Sequence, residues 1–331
     1  MAPLFYQHFW GVVDHDVTSS VLSWLNSGTL PHPINHTFIT LIPKTKNLEH
    51  VQEYRPISLC NVLYKIFSKV LANRLKKILP TIITEHQSTF VKDRLITDNI
   101  LVVFESLHCM RKYNSWDPGF MAIKLEMNKA YDRVEWLYLE NLMRRMGFNE
   151  KWIGLVMVCV KIVTYSILVN GEPQGLLQPT KGIRQGDTLS PFLFLLCTEG
   201  LHGLIQQVAR VGDIKGFSLC RRGPGLTHLL FANDSLLFCR ATPSECGKIL
   251  GILNCYEKDL GQMVNKNKTA IFFSLSTPDN IPREIKEALG LQEITEYEKY
   301  LDLLPLVGRR KKRKLKLYQR EGLEEIARLG R

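Results

Sequence analysis

Glu126 closes the alternating stretch GFMAIKLEM (119–127), and Asn233 and Asp234 stand between two apolar runs in LLFANDSLLFC (229–239). Asn and Asp form turns because their side chains bond nearby backbone groups and tolerate unusual dihedrals, so the second stretch reads as a β-hairpin with a polar tip. In the first, Met121, Ile123, Leu125 and Met127 alternate with Lys124 and Glu126, which reads as a strand with Glu126 on its polar side. If the two strands are neighbours, three oxygen-bearing side chains converge where strands end. Such clusters bind hard cations such as Mg²⁺, with substrate phosphates completing the octahedron. Two ions about 3.5–4 Å apart polarise an attacking hydroxyl and steady a leaving oxygen in nucleotidyl transfer. One Glu and one Asp are thin evidence alone, but the loop RQGD (184–187) between them in the chain makes the pattern more specific.

These residues need a mixed scaffold. Residues 4–26 read as a helix stopped by Gly28 and Pro31, and FITLIPK (38–44) as a short strand. The stretch 54–80 opens with a proline turn and becomes a long basic helix, with Leu63, Ile66, Val70, Leu71 and Leu75 as its apolar stripe. Lys65, Lys69, Arg74, Lys76 and Lys77 cover the remainder, either as a solvated face or as a strip lying along a nucleic-acid backbone. A helix is expected over 98–112, and another through NKAYDRVEWLYLENLMRRMG after Met127, with Val134, Tyr138, Leu139, Leu142 and Met146 buried. Asp132 falls inside the start of that second helix, where a carboxylate suits the helix N-terminus better than a metal. The window 152–169 reads as a buried helix followed by a strand, not a membrane span, and 164–175 as a hairpin turning on Asn170-Gly171. A helix over 242–261 and a strand over 264–274 complete an α+β order.

With 331 residues, 45% hydrophobic and 23% charged, the chain is long enough for two or three subdomains and is not disordered. Forty-three basic against 32 acidic side chains leave +11, which favours a polyanionic partner, nucleic acid before membrane. The eight cysteines show no CxxC pair and no zinc spacing with histidine, so they read as small buried hydrophobes of a reducing compartment. The first residues lack the basic region of a signal peptide, and the expected location is intracellular, nucleus or cytoplasm.

The stretches FITLIPK, YRPISLCNVLYKIFSKVLANRL, QSTFVKDRLITDN, AIKLEMNKAYDRVEW, YSILVNGEPQG, GIRQGDTLSPFLFLLCTEGL, HLLFANDSLLFC, NKNKTAIFF and KYLDLLPLVGRRKK together resemble the reverse transcriptase domain of plant LINE-type (non-LTR) retrotransposons. They occur in family order and cover residues 4 to about 310. The resemblance implies a right-hand polymerase fold, with fingers, an antiparallel palm sheet and flanking helices. It implies Mg²⁺-dependent synthesis of DNA from deoxynucleoside triphosphates on an RNA template with a DNA primer. Carried over by position, Glu126, Asn233 and Asp234 are the metal-site residues, and Tyr131 is the ring beneath the incoming sugar. Arg184, Gln185 and Gly186 fall on the loop packing against nucleotide and template; Lys44, Arg55 and Arg94 are candidates to hold the triphosphate, and Lys268 to protonate pyrophosphate. The implied divisions are an N-terminal helical extension (1–35), fingers and palm (36–275), and a remnant connection toward a thumb with a basic tail (276–331).

The chain departs from the family at its metal site. Glu126 and Asn233 stand where the family has Asp, so one carboxylate is a methylene longer and one charge of three is lost. Misplacement near 1 Å can cost on the order of a hundredfold in rate, so a weakened Mg²⁺ site and an impaired polymerase are expected. A nucleic-acid-binding module without catalysis is the alternative. Thr188 replaces a proline, and Asp302 with an added Leu interrupts KYLGLP. No endonuclease is expected before the domain, and most of the thumb is expected to be missing after it. The basic run 309–314 reads as an import signal, a backbone-binding arm or a solvated helix end.

Overall fold

The computed structural model describes residues 3–44, 46–112, 118–220, 223–232 and 234–291. Asn233, Asp302 and the basic run 309–314 therefore lie outside the described residues.

Helices α1 (Pro3–His8) and α2 (Trp10–Ser27) open the chain, and α2 stops at Gly28, whose positive φ lets its N–H bond Trp24 O at 3.0 Å. After α3 (His32–Asn35), β1 (His36–Pro43) pairs antiparallel with β2 (Tyr54–Cys60). The expected proline turn at 54–60 is thus a strand. Pro56 is tolerated because β2 is an edge strand, where a missing N–H costs no ladder bond.

Asn61 then caps α4 (Val62–Ile82), its Oδ1 accepting from Leu63 N at 2.9 Å. The buried face of α4 carries Tyr64, Phe67, Ser68, Leu71, Ala72, Leu75 and Leu79, rotated from the expected stripe, so that Leu63, Ile66 and Val70 are only half-buried. Tyr64 lies on that buried face, its hydroxyl donating to Asp187 Oδ2 at 2.7 Å. Lys69, Arg74, Lys76 and Lys77 are exposed, which leaves a continuous basic face.

Next come α5 (Ile96–Lys112), β3 (Phe120–Glu126), α6 (Trp136–Arg145) and α7 (Glu150–Lys161). The hairpin β4 (Thr164–Val169) and β5 (Glu172–Leu177) turns as expected on Asn170 and Gly171, both at positive φ. Helix α8 (Ser190–Arg210) precedes the hairpin β6 (His228–Phe231) and β7 (Asp234–Arg240). The described chain ends with α9 (Pro243–Leu260), β8 (Ala270–Phe273) and α10 (Ile281–Leu289). Among the described helices, α8 is the one long and apolar enough to cross a membrane, and here its apolar residues Leu193 to Cys197 are buried in the core.

The strands form two sheets, β2-β1-β4-β5 and β6-β7-β3-β8, the second antiparallel throughout. Strand β3 lies inside the second sheet and is covered on both faces. Met121, Ile123 and Leu125 pack into the main core with α6, α8 and α9, while Phe120 and Ala122 join Leu236 and Phe238 under Val103, Leu107 and Met110 of α5. Each of these side chains larger than alanine contributes roughly 1.5–3 kcal/mol by leaving water. Lys124, expected on a solvated side, is consequently only 9% exposed. On the α5-covered face, Phe120, Ala122 and the buried Lys124 precede Glu126, which stands in the last register pair of β3 and β7.

Candidate active site

That last pair is Glu126 opposite Asp234. Residues directly opposite in an antiparallel ladder share a face, with Cβ atoms about 4.5–5.5 Å apart. Two of the three oxygen-bearing residues expected to converge therefore do so, and the third, Asn233, lies outside the described residues. Like charges placed opposite destabilise a strand pair. Lys268, in a 3₁₀ turn (Lys266–Lys268) ahead of β8, answers this with its Nζ 2.6 Å from Glu126 Oε1. The resemblance implies a place for Lys268 near leaving pyrophosphate; the structure pairs it with Glu126. Asn265 N also donates to Glu126 O at 2.9 Å, which ties the 3₁₀ turn to the end of β3.

The hairpin tip is braced from behind. Ala232 sits at φ +51°, a left-handed conformation that costs a non-glycine residue about 1–2 kcal/mol. Its N–H donates to Gln87 Oε1 at 3.3 Å; that oxygen also accepts from Thr89 N at 3.1 Å, and Gln87 Nε2 reaches Thr198 Oγ1 on α8 at 3.4 Å. Leu230 N donates to His86 O at 2.8 Å, so the loop after α4 pairs along the edge of β6. No local pattern marks Gln87: its neighbours His86, Ser88 and Thr89 are polar, and the hairpin it bonds lies 145 positions away.

The RQGD loop is clamped between two elements. Gly182 N donates to Val134 O at 2.8 Å, Ile183 N to Tyr131 O at 2.9 Å, and Ser58 N on the free edge of β2 to Gln185 O at 2.9 Å. Gly186 has φ +95°, and a Cβ there would lie 3.3 Å from Ser58 O, so only glycine permits this approach to β2. Gln185 Nε2 donates to Asp132 Oδ1 at 3.3 Å. Asp132 lies in a turn before α6, whose N-cap is Glu135, so the expected placement inside a helix start is corrected. Tyr131, in the same turn, stacks on Phe194 of α8 with centroids 5.1 Å apart, and burial pushes its phenol up to about 12. The Tyr131 ring is half-buried.

Two expected nucleotide ligands are corrected. Arg184 is 5% exposed: it donates to Asn35 Oδ1 at 2.7 Å, Thr37 Oγ1 at 3.2 Å and Cys159 O at 2.8 Å, with its guanidinium 3.8 Å over the Tyr64 ring. It satisfies the C-terminal end of α7 and ties that end to α3 and β1, so its donors are spent inside the fold. Arg94 donates to the carbonyls of Ile83, Thr84 and Gln87 and clamps the loop after α4 rather than facing a triphosphate. Lys44 and Arg55 keep exposed positions at one end of the β1–β2 pair, with Lys44 Nζ 2.7 Å from Gln52 O. Asp187, unassigned in the sequence, is the buried acceptor that organises Tyr64 and lies 3.9 Å from Arg184.

An antiparallel sheet backed by helices, with facing carboxylates at the end of an inner strand, together with a second sheet of β1, β2, β4 and β5, is the palm and fingers of a right-hand polymerase. Residues 42–313 match the family described as reverse transcriptase (RNA-dependent DNA polymerase), and the chain belongs to that family. It is 29% identical over 203 residues to the transposon TX1 uncharacterized 149 kDa protein of Xenopus laevis, which covers 61% of this chain and 15% of the relative. It is 25% identical over 211 residues to a Pol polyprotein from the type-1 retrotransposable element R2 of Popillia japonica, covering 63% of this chain and 28% of that one. The chain thus spans well under a third of either relative's length. The structure of apo telomerase from Candida tropicalis, truncated from its C-terminal domain, aligns with a TM-score of 0.51 at 17% identity over 78% of this chain and 55% of that one, a likeness of fold.

Proposed function

We propose that the chain is the fingers and palm of an RNA-directed DNA polymerase from a plant LINE-type non-LTR retrotransposon, with impaired nucleotidyl transfer. The observation that carries this reading is the register pair Glu126–Asp234 at the open end of the palm sheet. Two carboxylates on one face are the hard-oxygen donor set a divalent cation requires, and Asn233 would add a neutral carbonyl oxygen. Bound there, Mg²⁺ would offset the triphosphate's charge and favour ionisation of the primer hydroxyl. The chain's own residues do the rest. Lys268 orients Glu126 through its 2.6 Å ion pair. Gln87 holds the tip that carries Asp234, and Tyr131 offers its ring to the incoming sugar. Lys44 and Arg55 hold the triphosphate, and the basic face of α4 follows the backbone of an RNA template paired with a DNA primer.

Impairment follows from chemistry at two positions. Glu126 reaches about one bond further than aspartate, enough to cost on the order of a hundredfold, and Asn233 removes a charge. Primer extension on an RNA template with Mg²⁺ or Mn²⁺ tests the reading: the unmodified chain extends poorly, and Glu126→Asp with Asn233→Asp raises extension at least about a hundredfold. Robust extension by the unmodified chain would sink the claim of impairment. The exposed lysines and arginine of α4 favour a second reading, a nucleic-acid-binding module without catalysis. That reading expects RNA affinity to fall about a thousandfold from 50 to 200 mM salt, with no extension restored by the two aspartates.

A further inference from the structure

We propose that His86, His202 and His228 form a binding site for one divalent transition metal of the zinc class, behind the catalytic hairpin and separate from its carboxylates. The three residues are distant in sequence and come from three elements: the loop after α4, helix α8 and the start of β6. One nitrogen of each ring lies within 4.8 Å of a nitrogen of the other two. His202 Nδ1 is 2.9 Å from His228 Nε2, and His86 stacks on His228 with centroids 4.5 Å apart.

His86 and His228 each have one ring nitrogen held by a threonine, while His202 presents Nδ1 to the cluster. Thr84 Oγ1 is 2.9 Å from His86 Nδ1, and Thr227 Oγ1 is 2.9 Å from His228 Nδ1. Hydrogen bonds of this kind fix the tautomer of metal-ligating histidines and leave Nε2 as the donor to the metal. Imidazole nitrogens suit zinc and its neighbours, and three of them with an open fourth position is an established zinc geometry. Ligand nitrogens around a tetrahedral zinc are about 3.3 Å apart, so the widest pair closes by about 1.5 Å. Binding therefore requires the half-buried His86 ring to leave its stack on His228 and its bond to Thr84, and the hydrogen-bonded His202–His228 pair to open from 2.9 Å.

A metal here would pin three elements that also position the active site. His86 precedes Gln87, which bonds the hairpin tip, and His202 lies one helical turn after Thr198, which bonds Gln87. The staple therefore acts on the element carrying Asp234 without touching it.

The test uses the full chain, stripped with chelator and titrated with Co²⁺ alone. One equivalent is expected to give the visible bands of a four- or five-coordinate ion, without the charge-transfer absorption that thiolate ligation from the cysteines adds. His202→Asn, at a half-buried position, abolishes the bands, and Thr227→Val weakens uptake about tenfold. Glu126→Gln leaves uptake unchanged. Substoichiometric uptake, bands that persist in His202→Asn, or loss of uptake in Glu126→Gln would each overturn the proposal.

Discussion

Truncating Arg184 to alanine distinguishes a nucleotide ligand from an anchor of the fold. The side chain is 3% exposed and donates three hydrogen bonds, to Asn35 Oδ1, Thr37 Oγ1 and Cys159 O. Removing it strands those acceptors and leaves Asp187, 4% exposed and 3.9 Å away, as a buried carboxylate without its cation. Breaking a buried pair from one side costs about 3–5 kcal/mol, against a total of on the order of 5–15 kcal/mol for a domain. Arg184→Lys retains the charge but cannot serve three acceptors from a planar fork, so it is expected to lose about 1–3 kcal/mol and remain folded. Arg184→Ala with Asp187→Asn removes the orphaned charge while keeping an acceptor for Tyr64, and is expected to recover at least about 1 kcal/mol over the single alanine variant. Urea unfolding followed by circular dichroism measures all three, and fluorescent deoxynucleotide binding is read in parallel. A loss below about 0.5 kcal/mol in Arg184→Ala, with nucleotide affinity falling at unchanged stability, would return Arg184 to the substrate and refute the anchor.

Gln87→Ala removes the acceptor shared by Ala232 and Thr89 and is expected to cost about 1–3 kcal/mol, with faster amide hydrogen exchange at Ala232 as its local signature. Burial pushes Glu199 up to about 7 from 4.5, so its contribution to stability is full at low pH and is lost as pH rises through about 7. Glu199→Gln keeps an acceptor for Thr84 N and is expected to stabilise the chain by on the order of 2 kcal/mol at pH 8 with little change at pH 4.5; a gain independent of pH would contradict the buried-acid account. Gly182→Ala places a Cβ 2.8 Å from Asp132 O at φ +90° and is expected to cost at least about 2 kcal/mol, whereas Gly203→Ala on α8, with nothing within 4 Å, should gain about 0.5–1 kcal/mol in thermal unfolding.

Local pattern was enough for most elements. The Asn170-Gly171 hairpin and the helix then strand over 152–169 follow from turn chemistry and periodicity within a few residues of themselves. The meeting of Glu126 with Asp234 was conditional on their strands being neighbours, and the family resemblance rather than the strand patterns supplied that pairing. What tertiary structure alone decided was where the long cations go. Arg184 and Arg94 have the composition of phosphate ligands, yet both are consumed by carbonyls and amides that the fold leaves unpaired, Arg184 reaching Asn35 across 149 positions. Lys268 meets Glu126 across 142 positions, and Lys124 is buried because α5 covers a face that alternation alone marks as solvent. Hydrophobic periodicity is a property of neighbours along the chain and survives in the sequence. The partner of a charged side chain is set by whichever backbone groups and carboxylates the packed elements bring within 3 Å or so, and that depends on the whole core at once.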